Sequence, residues 1–84
     1  MTLPSQPVTF SVEQVDELNR KLADTRHDIN NHLMLITAAI ELMHRKPAAN
    51  EQYMEIMKRK PGEIRDLLYK FSGEFERAFG ITRP

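Results

Sequence analysis

A stripe of mostly apolar positions recurs along the first half of the chain at alternating steps of three and four residues: Val15, Leu18, Leu22, Thr25, Ile29, His32, Ile36, Ala39 and Met43. These are the a and d positions of a heptad repeat, and Leu33 and Ile40 widen the stripe at position e. Ser11 followed three residues later by Gln14 has the pattern of a capping box at a helix N-terminus. No glycine or proline interrupts residues 11–46, so the pattern predicts one helix of about 33 residues and about 50 Å.

A second apolar stripe follows in the other half of the chain: Tyr53, Ile56, Met57, Lys60, Ile64, Leu67, Leu68, Phe71, Phe75 and Phe79. Gly80 then stands where the C-terminal end of a helix favours glycine. Pro61-Gly62 lies inside the stripe, although an interior proline costs a helix about 3 kcal/mol. Because the apolar phase continues across the pair, we predict a kinked second helix, with a true break near Lys60 as the alternative.

The connection between the two stripes is short, running from about His44 to Asn50, with Pro47 either ending the first helix or starting the second. Short connections favour antiparallel neighbours, so the sequence predicts an all-α, antiparallel two-helix hairpin. The stripes are wider than one partner helix can cover. A chain of 84 residues without cysteine also buries little apolar surface alone. We therefore predict that two hairpins form a homodimeric four-helix bundle.

The chain divides into three segments by composition. Residues 1–10 contain Pro4 and Pro7 and no periodicity, so they are predicted to form an extended N-terminal arm or a linker. Residues 11–80 form the helical-hairpin domain, and residues 81–84 are a C-terminal tail.

Composition excludes several classes of function. Twelve basic and twelve acidic residues give a net charge of zero, which disfavours a nucleic-acid-binding role. The absence of cysteine excludes disulfides and thiolate catalysis, and three glycines leave no room for a phosphate-binding glycine-rich loop. The sequence has no long apolar run and no secretory pattern, so we expect a cytoplasmic segment without membrane contact.

The segment whose side chains are best suited to chemistry surrounds His27. In the heptad frame His27 occupies position f, opposite the predicted core, with Asp28 beside it and Asn31 one turn later. An exposed imidazole is largely neutral at cellular pH and can act as a nucleophile, and a neighbouring carboxylate can orient its other ring proton. The alternative is that His27 is an ordinary solvated histidine.

His32 at position d is expected to be partly buried with a hydrogen-bond partner. No two of the histidines, His27, His32 and His44, are spaced i and i+4, so no metal site is predicted.

The sequence His27-Asp28-Ile29-Asn30-Asn31 resembles the H-box of histidine kinase dimerisation and phosphoacceptor domains, in its HDxNN form. The second helix adds to the resemblance, since residues 67–72, Leu-Leu-Tyr-Lys-Phe-Ser, are similar to a stretch of that family's helix two. The resemblance covers about residues 15–79. Many relatives carry a proline directly after the asparagine, whereas this chain has His32, which removes the helix bend expected at that point.

The resemblance implies a role for each matching residue. His27 would be the phosphoacceptor, Asp28 the acid–base helper in phosphoryl transfer, and Asn31 would serve transfer and phosphatase activity. A patch one to two turns later would dock the receiver domain of a response regulator; it comprises Met34, Leu35 and Ala38.

The function expected from this resemblance is that of the dimerisation and phosphoacceptor domain of a two-component sensor histidine kinase. The chain is not a complete kinase, because the ATP-binding catalytic domain would have to be supplied in cis or as a separate chain. ATP and Mg²⁺ would bind to that domain, and no cofactor is expected on this chain. Its partners would be a second copy of itself, the catalytic domain and a response regulator. Two alternatives are a stand-alone histidine phosphotransferase and a non-catalytic dimerisation module with a degenerate H-box.

Overall fold

The computed structural model describes residues 2–82 as two long helices joined by a short turn. Helix α1 spans Val12–Arg45, a 3₁₀ turn spans Pro47–Ala49, and helix α2 spans Asn50–Phe79. The two helices pack against each other, which confirms the predicted all-α hairpin. Of the predicted segments, Met1 of the arm and Arg83 and Pro84 of the tail lie outside the described residues.

Local interactions define both outer helix ends. At the start of α1, the Ser11 hydroxyl accepts from the Gln14 N–H at 3.1 Å, and the Gln14 side chain accepts from the Ser11 N–H at 2.8 Å. This is the predicted capping box. At the end of α2, Gly80 adopts φ = 68°, and the Ile81 N–H donates to the Glu76 carbonyl at 2.8 Å. Glycine adopts this left-handed conformation without the steric cost of a Cβ atom, so the chain leaves the helix in a Schellman-type turn.

The turn between the helices reverses the chain within a few residues. The Lys46 N–H donates to the Leu42 carbonyl at 2.8 Å and closes α1. Pro47 then occupies the first position of the 3₁₀ turn, where its missing N–H leaves no hydrogen bond unmade. The Ala49 N–H donates back to the Lys46 carbonyl at 3.0 Å and leads directly into α2. The short connection holds the helices antiparallel.

Helix α2 continues through Pro61. The predicted alternative of a break near Lys60 is therefore wrong. The second apolar stripe lies on a single helix, as the preferred prediction had it. Proline has no N–H, so the Met57 carbonyl four residues earlier lacks its usual intrahelical donor. The turn around residues 57–62 is consequently the intrinsically weakest part of α2.

An aromatic cluster closes the end of the hairpin away from the turn. The ring centroids of Phe10 and Phe79 are 4.6 Å apart, and those of Phe75 and Phe79 are 4.5 Å apart. Thr2 and Thr82 form an isolated antiparallel bridge nearby. Residues 2–10 contain no helix, but through Phe10 and Thr2 they pack against the C-terminal end of the chain.

The interface between α1 and α2 forms a narrow core. The predicted a and d positions of α1 that are at least half-buried include Ile29, Ile36 and Ala39, and Ala39 is 2% exposed. It is the one fully buried hydrophobic residue in the range 2–82. From Ile29 onward the heptad frame thus identifies the side of α1 that faces α2, whereas Val15 and Leu22, also predicted at position a, are 54% and 44% exposed. Neither α1 nor α2 contains a stretch long and apolar enough to span a membrane.

Candidate functional site

His27 lies near the middle of α1, on the side that faces away from α2. Its side chain is exposed, as its heptad position predicted. None of the hydrogen bonds and ion pairs described for residues 2–82 involves it. Helix α1 therefore presents the imidazole of His27 to solvent.

Asp28 and Asn31 are the nearest functional neighbours of His27 along the helix, and both are exposed. Asn31 lies one turn further on, about 6 Å along the axis and on nearly the same side as His27. The Asp28 side chain leaves the helix about 100° around from His27, towards one flank of the hairpin. This arrangement leaves a nucleophile, a carboxylate and an amide available to a molecule that approaches α1 from outside.

The predicted docking residues occupy two sides of α1. Met34 (69% exposed) and Ala38 line a shallow open groove, together with Asn30, Leu33, Thr37 and Glu41. Leu35 is 48% exposed but does not line that groove, because it projects about 100° around the helix from Met34. The structure thus brings Met34 and Ala38 together and leaves Leu35 on the flank that also carries Asp28.

His32 occupies a different environment from His27. It faces α2, and its side chain is 24% exposed, which confirms the predicted partial burial. Its Nδ1 atom lies 3.2 Å from Oε2 of Glu63. The approach does not meet hydrogen-bond geometry, so Nδ1 is a buried nitrogen without a hydrogen bond and the predicted hydrogen-bond partner is not found. The contact is a close polar approach that becomes an ion pair when the imidazole is protonated.

Three basic side chains converge on the carboxylate of Glu63. The Nζ atom of Lys60 donates to Oε2 at 2.9 Å, and Nε of Arg59 lies 3.3 Å from Oε1. The hydrogen bond from Lys60 is the main cause that lowers the pKa of Glu63, and the positive charges of Lys60, His32 and Arg59 act in the same direction, against a smaller opposing effect of burial.

The sequence analysis placed Lys60 on the apolar stripe of the second helix but gave it no partner. The structure shows that the Lys60 side chain is only 13% exposed and that Glu63 is partly covered. The information was present in the pattern, since Lys60 falls on the apolar stripe of α2 and His32 on that of α1. A basic and a titratable residue at core positions of two facing helices should have suggested a buried acidic partner.

Comparisons of the chain with models of known protein families, with curated proteins and with solved structures find no match. Arguments about function therefore rest on the residues and geometry described above.

Proposed function

We propose that this chain is the dimerisation and phosphoacceptor domain of a two-component histidine kinase. The observation that carries the proposal is the exposure of His27 on the outer side of α1, with no hydrogen bond or ion pair of its side chain among those described for residues 2–82, in a sequence that resembles an H-box. A histidine with a purely structural role is usually buried or hydrogen-bonded, as His32 is partly buried against Glu63.

The chemistry suits this geometry. A ring nitrogen of His27 would attack the γ-phosphorus of ATP, so that an N–P bond forms while the bond to the ADP oxygen breaks. Asp28 would accept the proton from the other ring nitrogen or hold it by a hydrogen bond. In the second step a response-regulator aspartate would attack the phosphorus, forming an acyl phosphate and releasing the imidazole, with Asn31 assisting. Such transfers need positioning more than covalent machinery from the protein.

The proposed partners follow from the resemblance to an H-box and from the surfaces that the chain exposes. ATP and Mg²⁺ would be held by a separate catalytic domain, which places the reaction in the cytoplasm. The receiver domain would dock next to His27, against the groove of Met34 and Ala38. Leu35, on the neighbouring flank, would take part if the receiver domain also contacts α2.

The exposed area supports a second copy of the chain as a further partner. The chain exposes 6731 Å², whereas a compact monomer of this mass exposes about 5,200 Å². The excess of about 1,500 Å² is larger than the roughly 800 Å² that each partner buries in a standard interface. The Cα radius of gyration of 18.2 Å also exceeds the roughly 12 Å of a compact domain of this length.

Seven of the thirteen exposed large hydrophobic residues in the range 2–82 lie on one side of the hairpin, here called the side face. On α1 it comprises Val15, Leu22, Leu33 and Ile40, each 42–54% exposed. Steps of seven and eleven residues return to within about 20° of the same direction, so these residues form a straight stripe. On α2, the side face comprises Met54, Leu68 and Phe75, each 39–51% exposed and spaced in multiples of seven residues.

Both stripes lie on the same side of the molecule. The stripe is rotated from the inward direction by about 70° on α1 and by about 80° on α2, in the same sense along the chain. Because the helices are antiparallel, equal senses bring the stripes to one side. A second hairpin packed on the side face would complete a four-helix bundle and leave His27, about 130° around α1 from the stripe, at the outer surface.

The proposal is tested by intact-mass spectrometry of the purified chain after incubation with phosphoramidate. We expect one acid-labile phosphoryl adduct per chain in the parent protein and none in His27→Ala. The matched control is His44→Ala, which removes another exposed histidine from α1 and should keep the adduct. Transfer of the phosphoryl group from the isolated adduct to a receiver domain would then separate a phosphoacceptor from an incidental nucleophile.

A folded dimer that takes up no phosphoryl group would contradict the phosphoacceptor role. The side face would then favour the second candidate, a non-catalytic dimerisation module. An adduct that persists in His27→Ala would also contradict the assignment, because another residue would be the acceptor.

A further inference from the structure

The contact between His32 and Glu63 occupies a special place in the hairpin. Among the ion pairs described for residues 2–82, it alone joins α1 to α2; the others lie within one helix. Above and below it on α1, the inner side carries the apolar residues Ile29 and Ile36. A polar pair in an otherwise apolar interface is costly to desolvate and is best attested as a device that specifies register.

Hydrophobicity alone does not determine which side of α1 faces α2. The inner stripe and the side-face stripe of α1 are both apolar, and they lie only about 70° apart around the helix. A rotation of α1 through that angle would bring Leu33 and Ile40 to α2 and withdraw His32 and Ala39, while Ile29 and Ile36 would stay near the interface, so the contact would remain apolar. The short turn limits sliding of the helices but not this rotation.

The Glu63 carboxylate is held in place on α2, so the contact of His32 with it can resist such a rotation of α1. The carboxylate is held by Lys60 at 2.9 Å and by Arg59 at 3.3 Å. Lys60 is itself largely covered, at 13% exposure. A rotation of α1 would withdraw His32 from this carboxylate and would leave Glu63 facing an apolar side chain, which is unfavourable for a partly covered charge.

We propose that the pair of His32 and Glu63 is a positioning contact that sets the rotation of α1 against α2 and hence the direction in which His27 is presented. The effect on the rotation of α1 is argued from the contact alone, whereas the importance of the direction of His27 rests on the proposed function. All side chains of one rigid helix turn together, so a rotation of about 70° would move the imidazole of His27 by about 6 Å. The same rotation would bury part of the side face and remove it from a second copy.

Distances between spin labels test the proposal directly. The chain has no cysteine, so Asp24→Cys and Lys70→Cys provide two unique sites, one on each helix, both exposed and on the flank opposite the side face. Pulsed electron–electron resonance on labelled chain diluted with unlabelled chain reports the distance within one hairpin. In the parent we expect one narrow distribution. In the labelled His32→Leu variant, we expect a shift or broadening of several ångströms at unchanged helix content.

The matched control is Arg20→Leu, which removes an ion pair with Asp16 that lies at 2.7 Å within α1. Its distance distribution should equal that of the parent. The conservative variant His32→Gln keeps a side-chain amide donor for the Glu63 carboxylate and should keep the narrow distribution. An unchanged distribution in folded His32→Leu, or in its folded fraction if the variant is destabilised, would overturn the proposal. If His32→Leu does not fold, His32→Ala replaces it, and an unchanged distribution in folded His32→Ala would do the same.

Phosphoryl uptake separates this proposal from the proposed function. A small donor such as phosphoramidate reaches an exposed histidine from many directions, so His32→Leu should take up phosphoryl groups to the same extent as the parent. If the parent takes up none while the distance shift occurs, the phosphoacceptor role fails and the positioning contact remains.

Discussion

His27 and His32 lie on one helix, five residues apart, and share neither environment nor partners. His27 is exposed and makes no described contact within residues 2–82, whereas Nδ1 of His32 is buried 3.2 Å from a carboxylate of the facing helix. Five residues turn an α-helix through about 500°, so the two side chains point about 140° apart. The helical period alone therefore makes one imidazole available to solvent and assigns the other to the interface.

The comparison shows that only five residues separate a histidine exposed to solvent from one that contacts the facing helix. The outer side of α1 can offer chemistry at His27 because none of the hydrogen bonds and ion pairs described for residues 2–82 engages this side chain. The inner side can position α1 because His32 meets a carboxylate that Lys60 and Arg59 already hold. A third side, the side face, carries half-exposed apolar residues that the proposed second hairpin would cover.

The largest expected effect concerns that third side. Leu68→Glu places a charge in the centre of the side face, where a second hairpin would have to desolvate it. We expect the parent to sediment as a dimer in analytical ultracentrifugation and Leu68→Glu to sediment as a monomer at the same concentration.

The neighbouring position supplies the control for this experiment. Tyr69 is 63% exposed and projects about 100° around α2 from Leu68, away from the side face. Tyr69→Glu should therefore remain dimeric. A parent that sediments as a monomer at every concentration, or equal dissociation in both variants, would show that the side face is not the dimer interface.

A smaller effect distinguishes the inner from the outer side of α1. Ile29 is half-buried against α2, between the two histidines in sequence, whereas Met34 is 69% exposed. Ile29→Ala should lower the free energy of unfolding by about 2 kcal/mol, the lower end of the range for truncating a core side chain, because the burial is partial. Met34→Ala should change it by less than about 0.5 kcal/mol. Urea denaturation followed by circular dichroism measures both, and comparable losses would contradict the assignment of sides.

The sequence predicted the helices well because their determinants are local and periodic. The capping box of Ser11 and Gln14, the stop at Gly80 and the phase of the a and d positions each depend on residues within a few turns. The exposure of His27 followed from the same phase. These features need no knowledge of what α2 does.

Features that depend on pairing between the helices were harder to predict. The partner of His32 is Glu63, 31 residues later, and periodicity identifies which side of α2 is inward but not which residue lies opposite which. The closure of the open end by Phe10 and Phe79 has the same origin. Pro61 shows the reverse case, because its local cost favours a break while tertiary packing of the continuous apolar stripe keeps the helix intact.

The smallest expected effect tests the inner cluster by its dependence on pH. The pKa of Glu63 is lowered from its ordinary value of 4.5, chiefly by the hydrogen bond from Lys60. A carboxyl whose pKa is lower in the folded state binds its proton more readily in the unfolded state. Its contribution to stability is therefore complete above pH 4.5 and is lost as the pH falls through the lowered pKa.

Glu63→Gln should lose less stability than the parent between pH 6 and pH 3 in urea titrations. Glu55→Gln, which alters an exposed carboxyl 3.8 Å from Lys58, should follow the parent at each pH. If Glu63→Gln loses as much stability as the parent, the ionised carboxylate does not stabilise the inner cluster, and the contrast between the two histidines reduces to burial alone.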